Sequence, residues 1–519
     1  MANRTAIGID IGTTGVKAVA IGSGGKLLAE SLREHDLICK RPGWAEEDPG
    51  DWWENTVLAL QDLWRQGTDP ASVEAVGVSG MVPALVMLDE REQPVRLSIQ
   101  QNDGRTADEL VELQGQIHGL FERTGSALNQ QHVLPRLLWV KRHESEVFAR
   151  TRRVLGSYDY IALRLTGVAS LEANWAVESG LYDIHREVWI EEALAFVGLT
   201  VEALPPVNPA GAVIGEVTPE AARLTGLRPG TPVIAGSADH VASALAAGVR
   251  SPGDLLIKFG GAGDILYATD RCLTHPKLYI DLHDIPGLYL LNGCMAASGS
   301  LVKWFVREFV GDGHTDGTVF AQLDAEAAGV PPGSDGLVVL PYFLGEKTPL
   351  FDPTARGVFF GLTLSHKRGH LYRALLESVI YGFRHHLDVI CEMGERPRRV
   401  LATNGGVKSR LWRQIAADVL GMPITSFRNH PGSALGVAYL AGAATGLFRG
   451  WSDVDLFLQE PYVTEPDPGC RGVYDHGYRL YRQIYEHLRP DFQLLHRGPI
   501  CRQTTPGRGQ WFHKFVDGM

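Results

Sequence analysis

A strand, a glycine-rich turn and a second strand occur at residues 7–21 and again at 255–268, and this repeat constrains the fold more than any other feature. In the first copy, IGIDIGTTGVKAVAI, Ile7, Ile9 and Ile11 alternate with small or charged residues. Val16, Ala18 and Ala20 resume the alternation after Gly12-Thr13-Thr14-Gly15, and Lys26 to Glu30 predicts a third strand. The second copy, LLIKFGGAGDILYA, turns at Gly260-Gly261-Ala262-Gly263 and carries Lys258 in the place of Asp10. Two hairpins of one design, each opening half of the chain, imply a duplicated domain with ligand between the copies. Glycines let a backbone approach a ligand closely, and successive N–H groups cradle phosphate oxygens. An acid such as Asp10 on the adjoining strand suits the Mg²⁺ that travels with phosphates. Alone, the first copy reads equally well as an ordinary hairpin with a polar turn.

A chain of 519 residues is too long for one ordinary core, so two or three domains are expected. Its net charge of −11 argues against a nucleic-acid or anionic-membrane partner. Six dispersed cysteines with no Cys-x-x-Cys pair fit a reducing cytoplasm and argue against a zinc or disulfide framework. No signal-peptide pattern precedes the first strand. The most apolar helical stretch, Ala434 to Phe448, is short for a bilayer span and reads as a buried helix.

Between the repeats, Asp51 is positioned to cap a helix with Trp53, Val57, Leu60 and Trp64 on one face. Ala75–Ser79 and Ala84–Leu88 read as a strand pair, and Gln100 to Arg105 as a polar loop of the kind that carries substrate contacts or only a solvated turn. Leu134 to Glu146 reads as an amphipathic helix; Tyr158-Asp159-Tyr160 and Glu172 to Trp175 are candidates to line a polar cleft. From Gly211 the chain reads as a polar connection, then a buried strand Pro232–Ala235 that delivers Ala238-Asp239-His240 to a helix start. Ser251 to Asp254 is the preferred domain boundary. In the second half a helix begins at Ser298 or Gly299, and the Gly- and Pro-rich run after Leu340 predicts no regular structure. Ser365 is placed to cap a helix to about Ile390. Asn404-Gly405-Gly406 links a strand to a helix ending at Gly421, a loop suited to a nucleotide or to a plain turn. Asp475 to Arg489 reads as helix, and residues 496–519 as a loose tail.

In order, GIDIGTTGVKAV, PGWAEEDPGDWW, NDGRT, AGSADHVASALAAGV, LPYFLGEKTPLFDPTARGVFFGLTLSH and TNGGVKSRLWRQIAADVLGMP resemble the FGGY family of carbohydrate kinases, in its xylulokinase-like branch. The resemblance implies an α/β fold of two ribonuclease-H-like domains around a central cleft, as in actin. Residues 1–250 would bind sugar and carry the base, and 251–495 would bind nucleotide. It implies Asp239 as the catalytic base, Asp10 as the Mg²⁺ ligand, and Gly12, Thr13, Thr14 and Lys17 at the ATP phosphates. Gly260 and Gly261 would form the second phosphate loop, with Gly299, Lys303, Gly405 and Gly406 around ribose and adenine. Met81, Gln101, Asn102, Asp103, Asp239 and His240 would meet the substrate. The implied partners are ATP and a small sugar or polyol, with a homodimer as one assembly open to the chain.

The chain departs from the family pattern at several of these positions. Gly261 and Ala262 replace the usual Thr and Ser of the second loop, and His240 replaces a common Asn. Met81-Val82-Pro83-Ala84 replaces Gln-Met-His-Gly, Gln101 a frequent Trp, and Arg136 a usual Lys. The resulting expectation is an ATP-dependent kinase of a primary hydroxyl that prefers another ketose or a polyol to D-xylulose. An actin-like or chaperone-like ATPase switch and a non-catalytic sugar sensor on the same fold are the rival readings.

Overall fold

The computed structural model describes residues 4–311, 317–427 and 432–497. The opening motif forms three antiparallel strands, β1 (Thr5–Gly12), β2 (Gly15–Gly22) and β3 (Lys26–Glu34). Ile7, Ile9 and Ile11 are fully buried, as the alternation requires. The strand Val73–Gly80 runs parallel to β1, and Pro232–Ile234 lies parallel beyond it, with Val213–Glu216 antiparallel at the edge. Ser237 and Ala238 return to pair with Ser79 and Gly80. This topology gathers the carboxyl ends of β1 and its parallel neighbours, where open α/β sheets place ligand contacts.

The chain divides into two compact units that are not consecutive in sequence. The first comprises Met1–Ser251, Asp270–Leu290 and Asn429–Gln459; the second comprises Pro252–Thr269, Leu291–Arg428 and Glu460–Met519. This differs from a division at residues 1–250 and 251–495, and the helix Ser433–Ala444 explains why. It is apolar on all sides, and Ala434 to Gly442 are all buried, so it needs partners all round. Those partners are β1, the strand Val73–Gly80 and the helix Asp239–Ala246. Contact is closest at two glycines: a Cβ on Gly8 would lie 1.9 Å from the Ala434 carbonyl oxygen, and one on Gly436 would lie 1.9 Å from that of Ala242. The strand Tyr279–Leu282 joins this unit through Asn174, whose side chain brackets the Leu282 backbone at 2.7 and 2.9 Å.

The second unit repeats the design. Asp254–Phe259 and Gly263–Thr269 form an antiparallel hairpin, with Arg399–Thr403 parallel to its first strand, followed by Ile424–Ser426 and Tyr462–Thr464. The helix Arg368–Glu392 is braced by Arg373, which bonds Glu377 and the Tyr474 hydroxyl at 2.8 Å each. Ser409 caps the helix Arg410–Leu420, and Gly421 at φ +67° ends it.

Local expectations fail where a nearer or longer-range partner intervenes. Asp48, not Asp51, caps the helix Pro49–Arg65, because Pro49 takes the first helical position. Val73–Gly80 and Val86–Leu88 are both strands but do not pair: parallel neighbours occupy both edges of the first, and the second pairs Arg153–Leu155. The connection after Gly211 contains the strand Val213–Glu216 and the helix Pro219–Thr225. Val358–Phe360 pairs Val338–Leu340 inside the Gly- and Pro-rich run. Lys367 precedes the helix expected to start after Ser365, whose hydroxyl bonds Thr363 instead. The final helix is longer than expected, Arg471–Arg497, and the tail from 498 lies outside the described residues.

Candidate active site

Asp10 lies opposite Lys17 in β2 and beside Ser79 in the parallel neighbour. Ser79 Oγ donates to Asp10 Oδ1 at 2.8 Å, and Ser433 is a second hydrogen-bond partner. Burial, and after it the charge of Asp239, push the Asp10 carboxyl up to about 6 despite both hydroxyls and Lys17. A buried carboxyl raised in this way by a neighbouring acid is a hard-oxygen donor whose charged form a divalent cation would favour, so Asp10 fits Mg²⁺. Lys17 is engaged elsewhere, with its ammonium 3.1 Å from Glu30. Gly12 and Thr13 are half-buried at the turn, and Thr14 is exposed.

Asp239 begins the helix Asp239–Ala246 immediately after the Ser237–Ala238 pairing, and Ala238 is the cap. Its Oδ1 accepts the His240 backbone N–H at 2.7 Å and stands 3.4 Å from His240 Nδ1. The side chain remains 39% exposed, open enough for a hydroxyl to reach. Behind it, His240 Nε2 lies 2.9 Å from Asp281 Oδ2 and 3.8 Å from Glu178 Oε1. Burial acts to lower the pKa of this imidazole, but Asp281, Asp239 and Glu178 together hold it well above the ordinary histidine range. Glu178 is pushed well up, by burial first and then by Asp281. One carboxylate oxygen each of Glu178 and Asp281 and one ring nitrogen of His240 lie within 4.8 Å of one another. Ligands about a tetrahedral zinc stand roughly 3.3 Å apart; the shorter 2.9 Å contact is a direct hydrogen-bonded ion pair.

The expected sugar residues divide into open and committed groups. Asn102 is exposed, whereas Gln101 accepts from Gln131 at 2.6 Å, and Gln131 accepts from the Tyr279 hydroxyl at 3.0 Å. Asp103 is wholly buried, and both its oxygens are occupied by the Ala45 and Arg105 backbone N–H groups and the Arg105 guanidinium. That guanidinium stacks 3.7 Å over Trp44, so Asp103 builds the loop rather than facing a ligand. Met81 is buried and bonded through its backbone to Ile11 and Ser157. Arg136 donates to the Pro83 carbonyl at 2.6 Å and to that of Gln131. Tyr158, Asp159, Glu172 and Asn174 are buried in one network: Tyr158 donates to Glu172 at 2.9 Å, and Asp159 accepts from the Glu172 N–H. They brace the site from behind and do not line a cleft.

In the second unit, the helix Gly299–Phe309 spends its first N–H groups on the glycine turn. Gly299 donates to the Gly260 carbonyl at 2.7 Å, and the Ser298 and Ser300 N–H groups bond Gly261 at 2.8 and 3.1 Å. A Cβ on Gly299 would stand 2.7 Å from the Gly260 oxygen, so glycine is required there. Gly261 is open, with nothing within 4 Å of a Cβ. Lys303 is half-buried, and Gly405 is exposed next to Gly406, whose Cβ would strike Phe259 and Trp412. Asn404 holds φ +72° and ψ −176°, a backbone region otherwise left to glycine.

Residues 5–246 match the N-terminal domain, and 269–445 the C-terminal domain, of the FGGY family of carbohydrate kinases. The chain is 30% identical over 488 residues to the xylulose kinase of Bacillus subtilis, covering 93% of this chain and 97% of the relative. The chain belongs to the FGGY family of carbohydrate kinases. The crystal structure of xylulose kinase from Rhodospirillum rubrum superposes on this FGGY kinase with a TM-score of 0.90 and 45% identity, over 94% of this chain and all of the other. Gluconate kinase from Lactobacillus acidophilus does so at 0.88 and 25%, over 95% and 100%. The two-domain FGGY fold and carbohydrate kinase activity follow from these likenesses. Among the described residues no helix is long and apolar enough to cross a membrane.

Four residues of this FGGY kinase's site carry no local sequence signal: Ser79, Glu178, Asp281 and Ser433. Each reaches Asp10 or His240 only through tertiary packing. Their one legible cue is the strand topology itself, which places Ser79 beside Asp10.

Proposed function

We propose that this kinase transfers the γ-phosphoryl group of ATP to a primary hydroxyl of a neutral sugar, a ketose or polyol, with Asp239 as general base. The observation that carries the reading is Asp239 itself: it stands at a helix start, one oxygen held by His240, the side chain part-open, with Asp10 near enough to repel it. Asp239 takes the proton of the attacking hydroxyl, and Asp10 would hold Mg²⁺, which when bound neutralises phosphate charge. The turn Gly12 to Thr14, half-buried to exposed, is of the kind that binds phosphate oxygens through backbone N–H groups.

A neutral acceptor is favoured over an aldonate by the groups behind Asp239. Glu178, Asp281 and Asp284 supply carboxyl groups, the one imidazole among them is already shared, and Arg136 has spent two nitrogens on backbone carbonyls. An added substrate carboxylate would have to sit beside these carboxyl groups, which disfavours an anionic acceptor. ADP release with D-xylulose, D-ribulose, D-fructose, glycerol and D-gluconate tests this. A gluconate kcat/KM above every neutral acceptor would refute the neutral reading, and sugar-independent ATP turnover would favour the switch reading. Asp239→Asn should lower kcat by roughly 10²–10⁴-fold with the fold intact; near-normal turnover would exclude Asp239 as base.

A further inference from the structure

We propose that His240 is a positioning residue for the base: Asp281 clamps its ring so that Asp239 presents one fixed oxygen to the acceptor hydroxyl. The inference rests on the reading of Asp239 as base and extends it to groups with no part in the chemistry. Three observations support the clamp. First, His240 is pinned on both ring nitrogens, with Nε2 2.9 Å from Asp281 Oδ2 and Nδ1 3.4 Å from Asp239 Oδ1. Second, the ring Nδ1 and the His240 backbone N–H meet the same Asp239 oxygen, Oδ1. Third, the clamp is anchored at both ends. Asp281 is fully buried on the strand Tyr279–Leu282, and the next residue, Leu282, is fixed by both polar atoms of the Asn174 side chain. Asn174 and Glu178 belong to the same short helix, Ala173–Glu178, so strand and helix meet the ring as one rigid piece.

The charged groups around the ring are Asp239 on its own helix, Glu178 on the helix Ala173–Glu178, and Asp281 and Asp284 on and just after the strand. The ring links two of these acids directly, Nε2 meeting Asp281 Oδ2 at 2.9 Å and Nδ1 facing Asp239 Oδ1 at 3.4 Å. Losing the ring leaves Oδ1 held by the His240 backbone N–H alone, and a misplacement of about 1 Å at a reacting group costs on the order of 10²-fold in rate.

The test measures kcat and KM for His240→Ala, Asp281→Asn and the double variant, using Mg-ATP and whichever of D-xylulose, D-ribulose, D-fructose and glycerol wild type turns over fastest. Each single change should lower kcat by about 10–100-fold, with sugar and ATP KM little changed. The double variant should be no slower than the slower single, because Asp281 acts only through His240. Multiplying losses, retained kcat, or a raised sugar KM with kcat kept would overturn the clamp; the last outcome would make His240 a sugar contact. If His240→Ala melts below the assay temperature, His240→Asn, smaller and uncharged, takes its place under the same criteria. Asp239→Asn assayed alongside separates the two readings. An inactive Asp239→Asn with an active His240→Ala refutes the clamp alone, whereas an active Asp239→Asn refutes the base and the clamp together.

Discussion

Asp10 pays for its position with stability. Its carboxyl is raised from 3.8 to about 6 in the folded protein, so the folded state prefers the protonated form. The stabilising preference is complete below about 3.8 and is lost as pH rises through about 6. Asp10→Asn, which cannot ionise, should therefore gain on wild type as pH rises from 4 to 7, by about 1–3 kcal/mol at the plateau, while losing turnover. Thermal melts at a series of pH values check this, and a gain that shrinks with rising pH would contradict it. Asn404 is a second strained residue. Its φ of +72° with ψ of −176° costs an L-residue about 1–3 kcal/mol, so Asn404→Gly should raise the unfolding midpoint after its own entropic cost of about 0.5–1 kcal/mol. An unchanged or lower midpoint would mean that the Asn404 side chain, which accepts from Thr403 at 3.1 Å, returns that strain. At this scale the sequence was informative about which residues are special and poor on what holds them. Asp10 and Asp239 were legible because motif and strand ends coincide; Glu178 and Asp281 were not, being separated from His240 by 62 and 41 residues.

Among elements, the helix Ser433–Ala444 has the least freedom. Gly436 puts it in backbone contact with Ala242, one turn along the helix that begins at Asp239. Gly436→Ala would drive a Cβ to 1.9 Å from a backbone oxygen, so the two helices must separate. The expected cost is about 2 kcal/mol or more, with kcat falling because Ser433 and Asp239 sit on the helices that shift. Gly261→Ala is the control: its Cβ enters open space, and stability should not change. Equal melting shifts for the two variants would defeat the argument. The elements themselves were readable from periodicity, including this helix and both hairpins. Pairings were less so, because Val73–Gly80 looks like half of a hairpin until its parallel partners are known.

For the whole molecule, the duplicated sheet was visible in the sequence, but the interleaving of the units was not. Glycine turns repeat in the text of the chain; which sheet a uniformly apolar helix will cover does not. The first unit is incomplete without the helix from Ser433, so a fragment ending at residue 251 should leave β1 and the strand Val73–Gly80 bare on one face. Such a fragment should aggregate or bind ANS, and fusion of residues 270–290 and 429–459 through short linkers should restore cooperative melting. A fragment of residues 1–251 that melts cooperatively by itself would refute this.

That late-arriving helix also sets a clock during synthesis. Ser251 leaves the ribosome long before Ala444 does, and at about 5–20 residues per second the interval is roughly 10–40 s. Throughout it, the sheet that carries Asp10 has its hydrophobic face uncovered while the second unit is still being made. Translation speed across the middle of the message, and the supply of chaperones that shield apolar β-structure, should therefore govern the yield of this kinase more than the stability of the finished protein does.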